Sequence, residues 1–378
     1  MYINFWYCAT TSAELSDTPM KSTMLGQDFV LFRDSAGKPH CLANVCTHRG
    51  GNLSGGKIHG DCIACPYHGW QFNADGHCVK IPSIGKDGKI PARTRIDAYP
   101  TIERYGLVVA FLGDADEAER TPVMDIPEYG KEGWRANLVV NSYKASYERG
   151  IENALDPAHN EFVHPTHGFS GTRDDYSVRP YDMNDTEHGG GFVALFNAPK
   201  LTSNETMNKL RNYDGDMEAG SWYVGPHQVL TTIHMTPTNW FHQYSYRTPV
   251  HEGLTKAYLI NMRNAMTDEK HDAVIVQRQR VIQEQDIVVL EAIEPLVPPH
   301  STARECLMPA DKAILHYRRY LDQLNAKGWR IDSARVAADK GRVAYAVPSP
   351  GRRQAKGWVI DAIPLVDSAR FRDQQAAE

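Results

Sequence analysis

Residues 46–72 read CTHRGGNLSGGKIHGDCIACPYHGWQF, and this stretch decides how the chain is interpreted. It contains two short segments that each offer one thiol and one imidazole, Cys46-x-His48 and Cys65-x-x-His68. A glycine lies within two residues after each histidine, where it permits the tight backbone of a loop. Two loops with matched sulfur and nitrogen donors indicate a metal centre.

This donor set is typical of a Rieske [2Fe–2S] centre, in which two cysteines bind one iron and two histidines bind the other. We therefore predict that Cys46, His48, Cys65 and His68 bind such a cluster. Neutral imidazoles make the cluster less negative and raise its reduction potential above that of an all-cysteine cluster. The alternative is a zinc site built on Cys62-x-x-Cys65 with a nearby histidine, but zinc leaves the matched loops unexplained. The remaining nearby donors are expected not to bind metal: Cys41, Cys62, Cys78, His59 and His77.

The composition indicates an ordinary globular protein that is long enough for two domains. Of its 378 residues, 42% are hydrophobic and 23% are charged, and the formal net charge is −5. This charge gives no reason to expect nucleic acid or an anionic membrane as a partner. No apolar stretch approaches the roughly 18 residues that span a bilayer, and the first residues do not resemble a signal peptide. We expect a cytoplasmic protein whose clustered cysteines bind metal rather than form disulfides.

The distribution of strands and helices predicts an α+β fold with two domains. Short β runs separated by turns predict an all-β domain over residues 1–118, and the acidic segment after Gly113 marks its end. Residues 119–378 are predicted to form the second domain. Its expected elements are an interrupted helix over 148–160, antiparallel strands over 175–265, and helices over 268–293 and 310–327.

A second group of metal-ligand residues lies in the interrupted helix. The spacing is E-x3-D-x2-H-x4-H, with Asp156, His159 and His164 as its last three members. Histidines five residues apart do not share a face of a regular α-helix. Because Pro157 and Pro165 disturb helical geometry, we predict a break between the two histidines that brings both to one ion. Two histidines and one carboxylate form the facial triad that selects non-haem Fe(II) and leaves positions for dioxygen.

The carboxylate of the triad is expected from another segment, and Asp286 is the best candidate. A carboxylate beside aliphatic neighbours is costly to bury unless it is paired or binds a metal. Helical phase alone leaves Glu284 and Glu291 equally placed. The predicted apolar face of this helix includes Val281, Ile282, Val289 and Ile293.

The block up to Gly113 resembles the N-terminal domain of Rieske non-haem iron oxygenase α subunits. The resemblance continues to about residue 325 and is closest to the dicamba and vanillate demethylase branch. It implies a helix-grip (START-like) catalytic domain with a mononuclear Fe(II) on His159, His164 and Asp286. Seven metal ligands are thereby matched one for one.

The resemblance also implies a catalytic role for Asp156 and a homotrimer. In this family the cluster of one chain serves the iron of its neighbour across a head-to-tail interface. Asp156 matches the aspartate that links a neighbouring subunit's cluster histidine, here His68, to the iron ligand His159. The alternative is a purely structural role, in which Asp156 is only a turn residue before Pro157.

The implied activity is oxygenation of a small aromatic substrate by monooxygenation or by O- or N-demethylation. The first alternative is cis-dihydroxylation of an aromatic ring, and an alternative from another class is a Rieske electron carrier without oxygenase activity. No G-x-G-x-x-G segment follows a strand, so NAD(P)H is expected to act only through a separate reductase, with or without a ferredoxin. Candidate substrate-pocket residues are Phe196, Trp222, Tyr223, His234, Trp240, Phe241 and His242. The sequence of the tail beyond residue 330 does not indicate its role.

Overall fold

The computed structural model describes residues 1–196, 210–211, 213, 215–299 and 301–369, which form two compact units. One unit combines residues 1–122 with the chain from residue 323 onward, and the other contains residues 123–322. The division predicted from the sequence differs, because it ends the first domain at residue 118 and assigns the whole C-terminal tail to the second domain.

A buried ion pair explains why the tail groups with the N-terminal unit. Asp97 is only 1% exposed, and its carboxylate accepts hydrogen bonds from Arg352 Nε at 2.8 Å and Nη2 at 2.7 Å. The hydroxyl of Ser349 donates to the same carboxylate at 2.8 Å. A buried carboxylate needs such partners, so these residues tie the tail to the first unit.

The N-terminal unit contains three small antiparallel sheets, of strand order β1-β11-β10, β2-β3-β4-β9 and β5-β6-β7-β8. Its strands are β1 Phe5–Thr11, β2 Met20–Met24, β3 Gln27–Arg33, β4 Pro39–Ala43, β5 Lys57–His59, β6 Cys62–Ala64, β7 Gln71–Phe72, β8 Cys78–Lys80, β9 Ala98–Tyr99, β10 Thr101–Arg104 and β11 Leu107–Leu112. One Cys/His loop follows β4, and the other joins β6 to β7.

The second unit is built on a seven-stranded antiparallel sheet of order β12-β18-β17-β16-β15-β14-β13. Its strands are β12 Arg135–Tyr143, β13 Asn184–Thr186, β14 Gly189–Phe196, β15 Met217–Val224, β16 Gln228–His234, β17 Trp240–His251 and β18 Leu254–Arg263. The main helices are α1 Tyr147–Leu155, α2 Asn160–Val163, α3 Asp272–Leu290 and α4 Lys312–Ala326. The predicted α+β class is confirmed.

The tail adds helices α5 Ser333–Ala338 and α6 Gly351–Gln354, and a parallel pair of strands, β19 Tyr345–Ala346 and β20 Asp361–Ala362. Within the described part of the chain, no helix has the length and apolarity that crossing a membrane requires.

The buried stripe of helix α3 overlaps only in part with the predicted apolar face. Val281 and Val289 are 37% and 39% exposed, whereas Ile282 lines an internal cavity and Ile293 packs against a buried cluster. The buried residues are Ile275, Gln279 and Leu290. Positions 275, 279, 282, 286 and 290 follow the helical period, so Asp286 shares the face that packs inward.

Candidate metal centres

The two Cys/His loops close with the same backbone hydrogen bonds. The amide of Cys46 donates to the carbonyl of Gly51 at 2.9 Å, and the amide of Cys65 donates to that of Trp70 at 2.8 Å. In return, the carbonyl of each cysteine accepts from the glycine four residues later, at 2.9 Å in both loops. Both of these glycines have φ of 70°, a conformation that side chains disfavour. Two equivalent turns therefore follow from two similar sequences.

The cysteines of these loops are buried and the histidines are exposed. Cys46 and Cys65 are 1% and 3% exposed and belong to the hydrophobic core of the β domain. The rings of His48 and His68 lie at the surface with their centroids 4.4 Å apart. Trp70 stacks on His48 with centroids 4.5 Å apart and an interplanar angle of 5°. The two thiols are therefore neighbours on the buried side, and the two imidazoles are neighbours on the exposed side.

The surroundings of the thiols fit a cluster at this position. Burial, together with the neighbouring Cys65 thiol, raises the pKa of Cys46 to about 12, so binding of iron must displace its proton. A Cβ atom on Gly51 would lie 2.7 Å from Cys65 Sγ, so only glycine leaves room beside the sulfur. The buried hydroxyl of Thr47 has no hydrogen-bond partner in the structure. Thr47 directly follows Cys46 in the chain, and hydrogen bonds to cluster sulfurs tune iron–sulfur potentials.

The second centre brings together His159, His164 and Asp286. His164 Nε2 lies 3.2 Å from Asp286 Oδ1 and 3.2 Å from His159 Nε2, and His159 Nε2 lies 3.6 Å from Asp286 Oδ1. The circle through these three atoms has a radius of about 1.9 Å, so an ion about 2.0–2.1 Å from each atom fits just outside their plane. An ion at this position would have all three ligands on one face and its opposite face open, as in the facial triad.

Hydrogen bonds at the far nitrogen fix the tautomer of each histidine. The Nδ1 of His159 faces the carbonyl oxygen of Asp156 at 2.5 Å, and the Nδ1 of His164 faces Gln285 Oε1 at 3.1 Å. Because these oxygens accept, each Nδ1 carries the proton and each Nε2 presents its lone pair to the centre. Thr166 also donates to Gln285 Oε1, at 3.0 Å, which fixes the orientation of that amide.

The charges at this centre favour an ionised carboxylate. Burial alone would raise the pKa of Asp286, but hydrogen bonding to His164 and the two imidazoles lower it overall. Asn153 Nδ2 donates to Asp286 Oδ1 at 3.0 Å and holds that oxygen in place. Burial lowers the pKa of His159, so this imidazole is neutral and available as a ligand.

The break in the motif helix lies elsewhere than predicted. Helix α1 ends at Leu155, and the short helix α2 lies between the two histidines, which flank it at 159 and 164. The interruption therefore falls before His159, beside Pro157, rather than between the ligands. His164 leaves helical geometry with φ of −114° and ψ of 69°, because Pro165 follows it. A single helical turn flanked by irregular backbone brings both imidazoles to one point.

Asp156 has the geometry of a turn residue within this chain. Its Oδ1 accepts a hydrogen bond from the amide of Ala158 at 2.7 Å, while its Oδ2 lies 3.9 Å from His159 Nδ1. It is the backbone carbonyl of Asp156, not the carboxylate, that meets the imidazole. Burial raises the pKa of the Asp156 carboxyl, which brings it closer to the range in which it exchanges a proton.

Of the predicted pocket aromatics, Phe241 lines a cavity beside the triad. Phe196 packs against the apolar cluster that includes Phe241, whereas Tyr223 is buried against α4. Since side chains alternate along β17, His242 lies on the opposite face of the sheet from Phe241. There it pairs with His234, with their Nε2 atoms 3.1 Å apart, and with Glu128 at 2.6 Å.

Sequence reasoning missed several side chains around the triad. Gln285 and Asn153 orient the candidate ligands. Gln285 directly precedes Asp286, and Asn153 lies within the E-x3-D-x2-H-x4-H motif. The ring of His167 contacts that of His164, with centroids 4.8 Å apart and an interplanar angle of 52°. The pair His164-Pro-Thr-His167 carries a visible signal, whereas the cavity arginines Arg211 and Arg278 carry none, because only folding brings them together.

Comparisons with known proteins match both parts of the chain. Residues 5–100 match the model of the Rieske [2Fe-2S] domain, and residues 143–327 match that of the vanillate O-demethylase oxygenase C-terminal domain. The iron-sulfur subunit of the toluene-4-sulfonate monooxygenase system of Comamonas testosteroni is 29% identical, with 85% of this chain and 96% of that protein aligned. The α subunit of phenoxybenzoate dioxygenase from Ectopseudomonas oleovorans is 36% identical over 44% of this chain and 43% of its own length.

Solved structures share the fold. NdmA of Pseudomonas putida CBB5 with caffeine superposes with a TM-score of 0.72 at 23% identity, covering 86% of this chain and 91% of that one. Dicamba monooxygenase bound to dicamba gives a TM-score of 0.68 at 23% identity, covering 85% and 96%. With a Rieske domain followed by an oxygenase catalytic domain, the chain belongs to the Rieske non-haem iron oxygenases, as an α subunit.

Proposed function

We propose that this oxygenase adds one oxygen atom to a small aromatic substrate, by hydroxylation or by O- or N-demethylation, at an iron bound by His159, His164 and Asp286. Electrons come from a separate reductase through a cluster on Cys46, His48, Cys65 and His68. The observation that carries the proposal is the convergence of two histidines and one carboxylate, 3.2 to 3.6 Å apart, in a chain that also has both Cys/His loops. An electron carrier alone has no use for the second centre.

When bound, the cluster supplies single electrons and the mononuclear iron supplies a site for dioxygen activation. The protein contributes position and charge. Gln285 and the Asp156 carbonyl hold the two imidazoles with their Nε2 atoms inward, and Asn153 orients the carboxylate. The neighbouring cavity has an apolar part that limits access of water, formed by Ile233, Met235, Phe241, Ile275 and Ile282.

Monooxygenation is favoured over cis-dihydroxylation by similarity to a relative that aligns over nearly its whole length, a toluene-4-sulfonate monooxygenase subunit. Hydroxylation of a methyl carbon attached to oxygen or nitrogen gives a hemiacetal or hemiaminal, which collapses with release of formaldehyde. Ring dihydroxylation instead gives a dihydrodiol and remains the alternative, because the aligned half of a dioxygenase α subunit is also similar.

The proposal is tested by metal analysis combined with oxygen uptake. The purified chain should contain about three irons, two in a red-brown cluster and one mononuclear. With a surrogate reductase, aromatic acids, aryl methyl ethers and N-methyl compounds are screened for substrate-dependent oxygen uptake and for formaldehyde, alcohol or dihydrodiol. Two irons and no uptake with any compound would leave only an electron carrier.

We also propose that the active assembly is a homotrimer in which Asp156 connects the iron site to His68 of a neighbouring chain. Exposed aromatic side chains next to both centres support this. Tyr67 is 56% exposed and lies on the ring of His68, and Phe162, on the turn between the iron ligands, is 62% exposed. On α3, Val274 and Val288 are 57% and 66% exposed. Apolar side chains at such positions are expected at subunit contacts.

Mixed oligomers test transfer between chains. Cys65→Ser chains lack the cluster and His164→Ala chains lack the iron, so neither is active alone. If they are unfolded and refolded together as random trimers, about a quarter of the neighbouring pairs combine an intact cluster with an intact iron site in the productive order. Activity should therefore return to about a quarter of the wild-type value. No recovery, with trimers demonstrated by light scattering, would mean that electrons pass within one chain.

A further inference from the structure

The cavity beside the iron triad lies between α3 and the seven-stranded sheet. One part of its wall is aliphatic or aromatic, and the other part is polar. The polar wall consists of His167, Arg211, Gln243, Asn261, Arg278 and Gln279. A cavity with this division suits a ligand that has an apolar body and one polar end.

The polar wall is connected directly to the iron ligands. The short turn Pro165–His167 follows ligand His164. Arg278 Nη2 donates to the carbonyl of Thr166 at 3.3 Å, and Arg211 Nη1 donates to that of His167 at 3.2 Å. Both guanidinium groups therefore lie against the turn that leaves the triad.

The wall contains two cationic side chains, Arg211 and Arg278. Burial lowers the pKa of Arg278, and burial together with the charge of Arg278 lowers that of Arg211 to about 10, so both remain cations near neutral pH. Within the described residues, no carboxylate forms a salt bridge with Arg278. A half-buried cation without a counter-ion favours an anionic ligand.

We propose that this wall binds the anionic end of the substrate, a carboxylate or sulfonate on an aromatic ring, and that Arg278 contacts it. This inference rests on the proposed function, because it assigns a substrate class to the same cavity. Arg278 uses one donor on Thr166, and its guanidinium has others for a second acceptor.

The spacing along α3 orients such a substrate. Arg278 precedes Asp286 by eight residues, which corresponds to about 12 Å along the helix axis. Ile282 lies between them on the same face and lines the cavity. An anionic group held by the arginine therefore directs the opposite end of a single aromatic ring toward the triad. The methyl group of a para-substituted toluene is the end that would be oxidised.

The competing interpretation is that Arg278 only anchors the turn that follows His164. A glutamine at 278 separates the two roles, because it retains a donor for the carbonyl of Thr166 and removes the charge. Arg280 provides the matched control, since it is on the same helix, is exposed and does not line the cavity.

Binding is measured by calorimetry on the iron-loaded protein, without reductant, for two pairs of probes. Each pair has nearly the same shape and differs in charge: toluene-4-sulfonate with toluene-4-sulfonamide, and 4-methylbenzoate with 4-methylbenzamide. The wild type should bind at least one anion about 10- to 100-fold more tightly than its neutral partner. Arg278→Gln should lose this preference, Arg278→Lys should retain part of it, and Arg280→Gln should behave like the wild type.

Two results would overturn the assignment. One is the absence of a charge preference in both probe pairs with the wild type. The other is an equal loss of affinity for charged and neutral probes in Arg278→Gln, which would show that the residue acts through the turn. Oxygen uptake separates this failure from that of the proposed function: turnover of neutral aromatics alone would retain the oxygenase and exclude the anion site, whereas anion binding without turnover of any substrate would do the reverse.

Discussion

The two metal centres use histidine in opposite ways. In the Cys/His loops, buried cysteines fix the inner side and the histidines are exposed. In the triad, His164 is 3% exposed and His159 only partly exposed, and polar neighbours hold both rings from behind. An exposed imidazole can meet another protein surface, whereas a buried one can control what reaches the metal. The difference separates a centre for electron transfer from a centre for substrate chemistry.

Removal of a cluster thiol should have the largest effect, because it eliminates the proposed centre for electron transfer. Cys65→Ser should abolish the red-brown absorption and lower the iron content from about three per chain to about one. Product formation should fall by at least about 100-fold, since even changes around metal ligands typically reach 10- to 100-fold. Iron analysis, visible spectra and oxygen uptake measure these effects.

The matched control is Cys62→Ser, because Cys62 is half-buried and lies outside both loops. This variant should keep the spectrum and the activity. Loss of the spectrum in Cys62→Ser with retention in Cys65→Ser would exchange the roles of the two cysteines.

Removing a triad ligand should have the complementary effect. His164→Ala should lower the iron content from about three per chain to about two, leave the visible spectrum unchanged and reduce oxygen uptake at least about 100-fold. The physical reason is that Asp286 and His159 alone cannot hold the ion against water. An iron content unchanged from the wild type would exclude His164 as a ligand.

The sequence predicted the first centre more completely than the second for a physical reason. The proposed ligands between Cys46 and His68 lie in two turns whose conformations depend on nearby glycines, so local sequence determines local geometry. Asp286 lies beside His164 only because α3 packs with its 275–290 stripe inward, which depends on tertiary contacts. The periodicity of the sequence instead indicated an apolar face that includes Val281 and Val289. The break beside Pro157 was placed on the wrong side of His159 because prolines perturb a helix without specifying which residue leaves it.

Asp156 connects the two centres in the proposed assembly. For turnover, its ionisable carboxyl group should therefore matter more than its hydrogen bond in the turn. Asp156→Asn keeps an Oδ1 acceptor for the amide of Ala158 and removes the ionisable group. We expect both metals to be retained and turnover to fall about 10- to 100-fold, in the range of other changes behind metal ligands. Single-turnover measurements should assign the loss to electron arrival at the iron.

Two outcomes would contradict this role for Asp156. Wild-type turnover in Asp156→Asn would leave it as a turn residue. Loss of the mononuclear iron in Asp156→Ala, with iron retained in an Asp286→Ala variant, would make Asp156 the ligand in place of Asp286.

The smallest expected effect concerns the residues that hold the triad from behind. Gln285 accepts from both His164 Nδ1 and Thr166, so Gln285→Ala should free the imidazole to rotate without removing a ligand. The dissociation constant for Fe(II) should rise about 10-fold, and excess Fe(II) should restore most of the activity, unlike in His164→Ala. The exposed neighbour Glu284 is the control, because Glu284→Ala should leave the affinity unchanged. Equal losses in the two variants would mean that α3 itself is perturbed. A loss confined to Gln285→Ala would show that the buried centre, unlike the exposed cluster histidines, depends on side chains that fix the orientation of its ligands.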